Sequence, residues 1–418
     1  MSGSRDSQSD CSRREFLEGS LAGAAAVALS SGIAQANEEQ GQKQPANEPK
    51  RRKIQLGQVG CGGRGTWISR LFRQHGGYET VAVADYFPEA ADRLGDALGV
   101  NKTRRFSGLS GYKRLIDSGV EAILLQTPVA FFPEHATAAV EAGLHVYMAK
   151  PVAVDVPGCQ QIAAAGKRAT AKQRVFLVDY QMPTDPINIQ VAERIREEGL
   201  DKLVRVTTTG ISGGHTDPPR QKTIEDRLKN LVWCNDVALG GGFILSFDIH
   251  AIDTAVWLLG KTPVAAAGVS KIARWNPNSD AHDVTSVLFE YADGPIHEHF
   301  GQALPNATTG ELSCRAYSAT SNAALRYDGK SRYHRRRAKP FEGEVVDLYR
   351  AGAERNIAAF YDAIVARRYE NPTVQRAVDG CLVGILGREA AARHARLTMA
   401  ELLKENRRIE ADLTGLKV

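Results

Sequence analysis

Between residues 54 and 178, short apolar runs alternate with stretches whose apolar residues recur at helical spacing. The apolar runs predict strands beginning at Ile54, Val81, Ala122, His145 and Val175. The stretches between them predict helices over 67–76, 88–98, 133–142 and 156–171. Continuous apolar strands alternating with amphipathic helices are typical of a parallel sheet covered on both faces. The pattern therefore predicts an α/β fold with an amino-terminal, doubly wound Rossmann sheet.

Beyond Tyr180 the pattern changes to strands that follow one another without helices between them. Predicted strands cover 203–209, 264–270, 285–291, 296–301 and 313–319, with helices over 189–198, 351–367 and 374–403. Such an order favours an α+β domain with a large, mainly antiparallel open sheet. We predict a Rossmann domain over 53–178 and this second domain over 179–418. The open sheet could join subunits into a homo-oligomer, a dimer or a tetramer.

The first 36 residues have the order of a secretory signal: charged, then apolar, then small. Arg13 and Arg14 are followed by Phe-Leu, the run from Leu21 to Ile33 is apolar, and residues 34–36 read Ala-Gln-Ala. The paired arginines resemble the twin-arginine signal, which is an address rather than an anchor. The run is too short and too rich in Ala, Gly and Ser for a stable membrane anchor. We expect a twin-arginine signal over 1–36, a flexible linker over 37–52 and a periplasmic or otherwise exported protein.

Composition excludes several classes of function. Apolar residues make up 43% and charged residues 24% of the chain, as in ordinary globular proteins, and the net charge is only +5. The basic run Ser331–Lys339 lacks the interleaved aromatic residues of single-strand binding sites, so we interpret it as a solvated loop and expect no nucleic-acid partner. The six cysteines are widely spaced, and neither they nor the histidines have metal-ligand spacing. We therefore expect no metal site.

The stretch Lys53–Gly65 reads KIQLGQVGCGGRG and places Gly60, Gly62 and Gly65 at the spacing G-x-G-x-x-G, between a predicted strand and a predicted helix. These glycines allow a tight turn, close approach to a pyrophosphate and close helix–strand packing. An acid, Asp85, ends the next strand 20 residues after Gly65, where it can accept hydrogen bonds from ribose hydroxyls and repel a 2′-phosphate. The loop, including Gly63 and Arg64, is therefore predicted to bind NAD rather than NADP.

Three further segments carry a family resemblance. They read TPVAFFPEHATAAVEAGLHVYMAKP from Thr127 to Pro151, YQMPTDP from Tyr180, and GGGFILSFDIHAID from Gly240. With the glycine fingerprint, they resemble the Gfo/Idh/MocA family of glucose–fructose oxidoreductase and inositol dehydrogenase over about 53–413. The resemblance is to the exported branch that carries a twin-arginine signal, and it implies an NAD-dependent enzyme acting on sugars.

The resemblance implies two catalytic residues. Lys150 matches the lysine of the family's E-K-P motif and would stabilise the reacting oxygen, or relay a proton if burial lowers its pKa. Ala149 stands where the family usually has Glu. His250 matches the family's histidine and would take the hydroxyl proton as hydride leaves the carbon that bears this hydroxyl. Family members often have an acidic residue four positions before this histidine, and here that position is Ser246. On a strand, Asp248 would lie on the same face as His250 and could take the place of that acid.

Other site residues follow from the same matches. Gln126, Thr127 and Pro128 should line the nicotinamide side, and Gln181 should close over it. His135 is either a cofactor neighbour or a helix-packing residue. On the substrate side, Asp253 would contact substrate, cap or orient, and Trp233 would stack on the sugar or belong to the core.

Three functions agree with this pattern. The first is an exported NAD-dependent oxidoreductase that removes hydride from a secondary alcohol carbon of a sugar, with tightly held cofactor because free NAD is scarce outside the cytoplasm. The second is an NAD-dependent glycosidase that oxidises, eliminates the glycosidic group and re-reduces. The third is a nucleotide-bound binding protein with little turnover, which the departures at Ala149 and Ser246 would permit.

Overall fold

The computed structural model describes residues 52–418, except 216, 218–222, 230 and 276. The predicted signal segment and all of the predicted linker except residue 52 lie outside the described residues. From Arg51 to Val418 the chain forms one compact unit.

The first sheet is parallel and six-stranded, in the order β3-β2-β1-β4-β5-β6. The sequence predicts five of these strands and misses β3, which has only three residues. The strands are β1 (Ile54–Val59), β2 (Tyr78–Asp85), β3 (Arg105–Ser107), β4 (Ala122–Leu125), β5 (His145–Ala149) and β6 (Phe176–Asp179). Because the order reverses between β1 and β4, the carboxyl ends of these two strands form the crevice where open α/β sheets bind ligands. The predicted Rossmann fold is confirmed.

Helices cover both faces of this sheet. They are α1 (Gly63–His75), α2 (Pro88–Leu98), α3 (Gly111–Ile116), α4 (Phe132–Glu141) and α5 (Val156–Ala171). Proline at the start of α2 and the Asp155 side chain, which accepts from Gly158 N, fix two of the helix beginnings. The predicted bounds of α2 and α5 agree with the structure.

The second sheet has nine strands in the order β14-β13-β12-β11-β7-β10-β9-β8-β15. All its neighbouring strands are antiparallel except β7 and β10, which confirms the predicted large, mainly antiparallel sheet. The strands are β7 (Leu203–Ser212), β8 (Ala265–Lys271), β9 (Val284–Glu290), β10 (Ile296–Ala303), β11 (Glu311–Ser318), β12 (Ser321–Arg326), β13 (Gly329–Arg335), β14 (Phe341–Val345) and β15 (Leu397–Thr398).

Helices of the second segment pack on both sheets. They are α6 (Pro186–Glu198), α7 (Ile224–Arg227), α8 (Val237–Gly240), α9 (Ile249–Leu259), α10 (Leu348–Val365), α11 (Pro372–Arg393) and α12 (Met399–Glu405). From α10, the buried residues Ile357, Phe360 and Ile364 complete the core formed by β1, α1 and β4. Helix α11 adds Val378 and Cys381 to the core on the other face of the first sheet. The first sheet is therefore covered in part by residues that come long after its last strand in the sequence.

Two predictions from the pattern are wrong. The predicted helix over 374–403 ends at Arg393, and β15 then intervenes before α12. The basic run Ser331–Lys339 is not a loop throughout, because its first five residues belong to β13. Alternate residues of β13 are charged because they lie on the uncovered face of the sheet, and such a strand does not have the apolar composition of a core strand.

The apolar stretch Val237–Leu259 has the length and mean hydropathy, 1.4, of a membrane-crossing helix, but 83% of it is buried inside the protein. It therefore has the surroundings of a core helix. Five cysteines within the described residues are buried and free. Over the same residues, no group of three His, Cys, Asp or Glu side chains is placed to hold a metal ion.

Candidate active site

The glycine loop after β1 is shaped by contacts that leave no room for side chains. Gly60 has φ +95°, and a Cβ there would lie 2.5 Å from the backbone of Gln126. A Cβ on Gly65 would lie 2.0 Å from the carbonyl oxygen of Gly60. In contrast, a Cβ on Gly62 or Gly63 would meet nothing within 4 Å. The first and third fingerprint glycines thus pack the loop, and the open side of the middle pair can admit a ligand.

A buried glutamine, which we did not predict from the sequence, holds this loop in place. The Gln58 amide donates from Nε2 to the carbonyl oxygens of Gly60 and Gly65, both at 2.9 Å. The side chain is fully buried. Its signal in the sequence is a polar residue inside an apolar strand, two positions before the first glycine.

Asp85 ends β2 beside the glycine loop, as predicted. Its Oδ2 accepts a hydrogen bond from Cys61 N at 2.7 Å, and its Oδ1 accepts one from Phe87 N at 2.9 Å. Burial raises the pKa of Asp85, and the two backbone hydrogen bonds oppose that rise. Because a carboxylate has about four acceptor positions, capacity remains for ribose hydroxyls. Ribose binding by Asp85 stays a prediction.

The crevice fits a dinucleotide on three further counts. Helix α1 begins at Gly63 with no acidic residue in its first turn, so unpaired N–H groups and the positive end of the helix dipole face the loop. Beside it, after β4, both amide atoms of Gln126 and the Thr127 hydroxyl are buried without a hydrogen-bond partner. Buried polar groups are rarely left unpaired, so these atoms indicate a ligand with polar groups. Pro128 precedes a short 3-10 helix, Val129–Phe131, that turns the chain away from this edge.

Arg64 was predicted to bind the cofactor as part of the loop, and its side chain contacts other elements of the fold. Its guanidinium donates to Asp179 Oδ2 at 2.8 Å and to the Tyr349 hydroxyl at 2.6 Å. It also lies over the rings of Tyr349 and Trp67. The side chain therefore links the glycine loop to β6 and α10, and only the backbone of Arg64 remains in the loop.

His135 packs within the helical layer. It is 6% exposed, and the centroid of its ring lies 4.1 Å from that of Tyr112. The ring of Phe131 stacks on it with the centroids 5.8 Å apart. Burial lowers the pKa of His135 to about 3, so the ring is neutral at physiological pH. Of the two interpretations, these contacts favour the helix-packing one.

Lys150 directly follows β5 at the ligand edge of the first sheet. Its ammonium donates to the carbonyl oxygen of Ser246 at 2.5 Å, which joins the two halves of the site. Burial, followed by the nearby charge of Arg64, lowers the pKa of Lys150 to about 7. At neutral pH the amine therefore exists in both protonation states.

His250 lies near the start of α9, on the same side of the site. It is 7% exposed, its Nδ1 has no hydrogen-bond partner, and Tyr327 and Tyr180 contact its ring edge-on at 5.0 and 6.2 Å between centroids. Burial and the positive charges of Lys150 and Arg64 lower the pKa of His250 well below 6.5. The imidazole is therefore uncharged and can accept a hydrogen bond, while burial and the neighbouring positive charges disfavour its protonated form.

Asp248 does not share a strand face with His250, contrary to the prediction. The segment Ile244–Asp248 is a π-helical turn that runs into α9, so the period-2 argument fails there. Asp248 is fully buried, with Oδ2 3.1 Å from His299 Nε2. Burial raises its pKa to about 6, against the opposing effect of His299. The carboxylate points towards the second sheet, where it lies against His299, Gly210 and Gly301.

A slot of two glycines accommodates this carboxylate. Gly210 of β7 and Gly301 of β10 are register partners, and a Cβ on either would lie 1.9 or 2.1 Å from an Asp248 carboxylate oxygen. Behind it, His299 Nδ1 lies 3.1 Å from the Thr208 hydroxyl. Asp248 therefore fixes the turn that carries the Ser246 carbonyl, and with it the position of Lys150.

Two other predicted substrate contacts lie in packed surroundings. Asp253 is fully buried and pairs with Arg376 at 3.2 Å, so of the roles predicted for it, orienting an element of the fold is the one its contacts fit. Burial raises its pKa to about 6. Trp233 is half-buried and packs against the hydrophobic core, which favours the core interpretation. A Cβ on Gly240 would lie 3.0 Å from its ring.

Asp179, Gln181, Tyr327 and Asn356 form a buried polar cluster near Lys150, and only Gln181 was predicted from the sequence. Asp179, at the end of β6, is fully buried and its Oδ1 accepts from Gln181 Nε2 at 2.9 Å and from Asn356 Nδ2 at 2.8 Å. The Tyr327 hydroxyl donates to Gln181 Oε1 at 3.1 Å. Tyr327 and Asn356 lie more than 140 positions from Asp179, so no local motif marks them.

Comparison with known proteins agrees with this geometry. Residues 54–180 match a family model described as the oxidoreductase family with an NAD-binding Rossmann fold, and residues 189–300 match the GFO/IDH/MocA C-terminal domain. The inositol 2-dehydrogenase of Rhizobium meliloti (strain 1021) is 24% identical over 243 residues. That match covers 58% of this chain and 66% of the relative, so it spans just under two thirds of the relative's length.

Two solved structures have the same fold. The aldose–aldose oxidoreductase from Caulobacter crescentus, complexed with glycerol, superposes with a TM-score of 0.67 at 20% identity, covering 83% of this chain and all of the other. A levoglucosan dehydrogenase in complex with NADH and levoglucosan gives the same TM-score and coverage at 17% identity. The two family models together match more than half of the sequence, and the chain belongs to the Gfo/Idh/MocA oxidoreductase family, with that family's NAD-binding Rossmann domain.

Proposed function

We propose that the protein is an NAD-dependent oxidoreductase that oxidises a secondary alcohol carbon of a sugar or sugar derivative. The observation that carries the proposal is the pairing of Lys150, at the carboxyl end of β5, with the turn that leads to His250. Both groups lie where the ligand edge of the first sheet meets the second sheet. The related proteins named above act on inositol, aldoses and levoglucosan, all of them polyhydroxylated molecules.

NAD, when bound, supplies the hydride acceptor. The residues of this chain then have to hold the hydroxyl and remove its proton. With a pKa of about 7, the neutral amine of Lys150 can take that proton at physiological pH, which fulfils the condition for a proton relay. The uncharged His250 can accept a hydrogen bond from the same hydroxyl and so orient it towards the amine. The Asp179 carboxylate, which also accepts a hydrogen bond from Asn356, holds the Gln181 side chain in place.

One experiment tests this function. The protein is purified without added nucleotide, any nucleotide released on denaturation is identified, and the protein is assayed with free sugars, inositols and aryl glycosides. We expect NAD or NADH in the released fraction and net NADH formation with a free sugar or polyol. Glycoside cleavage that requires NAD without net NADH would instead identify the oxidation–elimination–reduction cycle. Inactivity in both assays, with Lys150→Ala and His250→Ala binding sugar as well as wild type, would identify a binding protein.

We also propose that the protein is exported through the twin-arginine route, on the strength of Arg13, Arg14 and the apolar run that follows. In cell fractionation, wild-type protein should appear outside the cytoplasm, and a variant with Arg13→Lys and Arg14→Lys should remain inside. Wild-type protein found only in the cytoplasm would contradict export but would leave the proposed chemistry intact.

We further propose a homo-oligomer formed through the uncovered face of the second sheet. Val269, Leu288, Ile296 and Phe300 are 56%, 41%, 59% and 40% exposed on neighbouring strands β8, β9 and β10. Contiguous exposed apolar area of this kind marks protein interfaces. Light scattering should give the mass of a dimer or tetramer, and Phe300→Glu with Leu288→Glu should reduce it to a monomer. A monomeric wild type would contradict the proposal.

A further inference from the structure

The last ten residues of the sequence lie along the ligand edge of the first sheet. Ile409 N donates to Asp155 Oδ2 at 2.8 Å, and Asp155 begins the helix that follows β5. At the other end, Leu109 N donates to the Lys417 carbonyl oxygen at 2.9 Å, just after β3. In a parallel α/β sheet, helix beginnings and strand ends meet at one edge, which is where ligands bind. Residues 409–418 therefore have contacts at both ends of that edge.

The contact at residue 417 lies next to the position expected for the adenosine. Lys417 N donates to the Tyr86 hydroxyl at 3.2 Å, and Tyr86 directly follows Asp85, the predicted ribose ligand. Ser107, at the end of β3, is the register partner of Asp85. The tail thus ends against the two strands whose carboxyl ends carry the adenosine half of a dinucleotide in this fold.

Gly108 leaves space for the end of the segment 409–418. Gly108 has φ +82°, and a Cβ there would lie 3.0 Å from the Val418 oxygen. Along the tail, Ile409, Leu413 and Leu416 are half-buried while Glu410 and Asp412 are exposed. An alternation of half-buried apolar and exposed charged residues is typical of a segment held against a surface rather than extended into solvent.

The geometry points to residues 409–418 as a strap that closes the adenosine end of the NAD site and slows release of the cofactor. This inference rests on the proposed NAD-dependent function. A strap held at Asp155 and at Tyr86 would have to detach before the adenosine could leave the crevice. If the closed strap stabilises bound NAD, the effect should appear mainly as a slower dissociation rate.

The test measures dissociation of NADH from the full-length protein, followed by fluorescence after addition of excess NAD⁺. Removal of residues 410–418 should accelerate release about tenfold or more, equivalent to about 1.4 kcal/mol or more. Affinity for ADP-ribose, which lacks only the nicotinamide and keeps the adenosine, should fall in parallel. Tyr86→Phe, which removes the acceptor of Lys417 N, should accelerate release by a smaller factor.

A matched glycine pair separates strap contact from backbone strain. Gly108→Ala places a Cβ against the strap, whereas Gly119→Ala imposes the same strain, at φ +81°, with nothing within 4 Å. We expect faster release for Gly108→Ala and a wild-type rate for Gly119→Ala, with similar losses of stability. If the truncated protein fails to fold, Gly108→Ala and Tyr86→Phe decide the question.

Wild-type release rates in the truncated protein, or in Gly108→Ala and Tyr86→Phe, would overturn the strap while leaving the proposed function in place. A full-length protein that binds neither NADH nor ADP-ribose would overturn the proposed function and the strap with it. The two failures are therefore distinguishable by the wild-type measurement alone.

Discussion

The cofactor half and the substrate half of this site are formed by different kinds of chemical group. On the cofactor side, glycines and backbone amides define the surface, and the side chains of Gln58 and Asp85 hold the loop by hydrogen bonds to its backbone. On the substrate side, buried ionisable groups from distant elements hold one another, with Lys150 bonded to the Ser246 carbonyl and Asp248 paired with His299. The first half depends on the absence of side chains, and the second depends on their electrostatic interactions.

This difference decides how each half should respond to substitution. The glycine loop has no space for a side chain at Gly60 or Gly65, so a single methyl group at either position can change its shape. A network of buried charges tolerates little change in charge, because each group's protonation state is set by its neighbours. Substitutions in the two halves should therefore separate cofactor binding from proton transfer.

The largest effect is expected for Lys150→Arg. The arginine keeps a positive charge but cannot release a proton near neutral pH, so kcat/KM for oxidation should fall by about 10²- to 10⁴-fold. In the wild type, kcat/KM should rise with pH through about 7, because the amine must be neutral to accept a proton. NADH affinity serves as the control and should change little. A wild-type rate that falls above pH 7 would assign the ammonium form the active role.

Gly65→Ala should have the next largest effect. Its Cβ would lie 2.0 Å from the Gly60 oxygen, so the loop must shift, and we expect a stability loss of about 1–3 kcal/mol with loss of measurable NADH binding. Gly62→Ala is the matched variant, because its Cβ meets nothing within 4 Å. It should melt like wild type and bind NADH about tenfold more weakly, or about 1.4 kcal/mol. Equal NADH affinity in both variants would refute the division of roles among the glycines.

A smaller effect is expected for Gly301→Ala, which acts on the substrate half. The added Cβ would lie 2.1 Å from Asp248 Oδ2, and we expect about 1–3 kcal/mol of destabilisation with a fall in kcat at unchanged NADH affinity. Gly310→Ala, whose nearest neighbour would be 3.5 Å away, is the control and should change stability by less than about 0.5 kcal/mol. A normal kcat in a destabilised Gly301→Ala would show that Asp248 supports the fold alone.

The smallest effect should come from Trp233→Phe. Because Trp233 packs against the core, the substitution should cost about 1 kcal/mol of stability and change KM for the sugar less than about threefold. A tenfold rise in KM with unchanged stability would restore the stacking role. Thermal unfolding and steady-state kinetics on one preparation decide between the two.

The same division explains what the sequence could and could not predict. The glycine fingerprint, Asp85 and the alternation of strands and helices in the first domain are local patterns, and the structure has them where expected. The position of Asp248 could not be predicted, because a π-helical turn has no such period and its neighbours Gly210 and Gly301 are distant in sequence. Tyr327 and Asn356 were missed for the same reason. Strands β12 to β14 were missed because one face of their sheet is uncovered and polar.

Helix α10 has a consequence for how the protein is made. Its residues Ile357, Phe360 and Ile364 fill the core behind β1 and β4, and its Asn356 binds Asp179. A nascent chain that has emerged only as far as β6 therefore lacks part of its own interior. At typical synthesis rates of about 5–20 residues per second, the ribosome needs roughly 10–40 s more to deliver that helix. During this interval the apolar surface that α10 later covers is exposed, and exposed apolar surface of this kind is what chaperones bind.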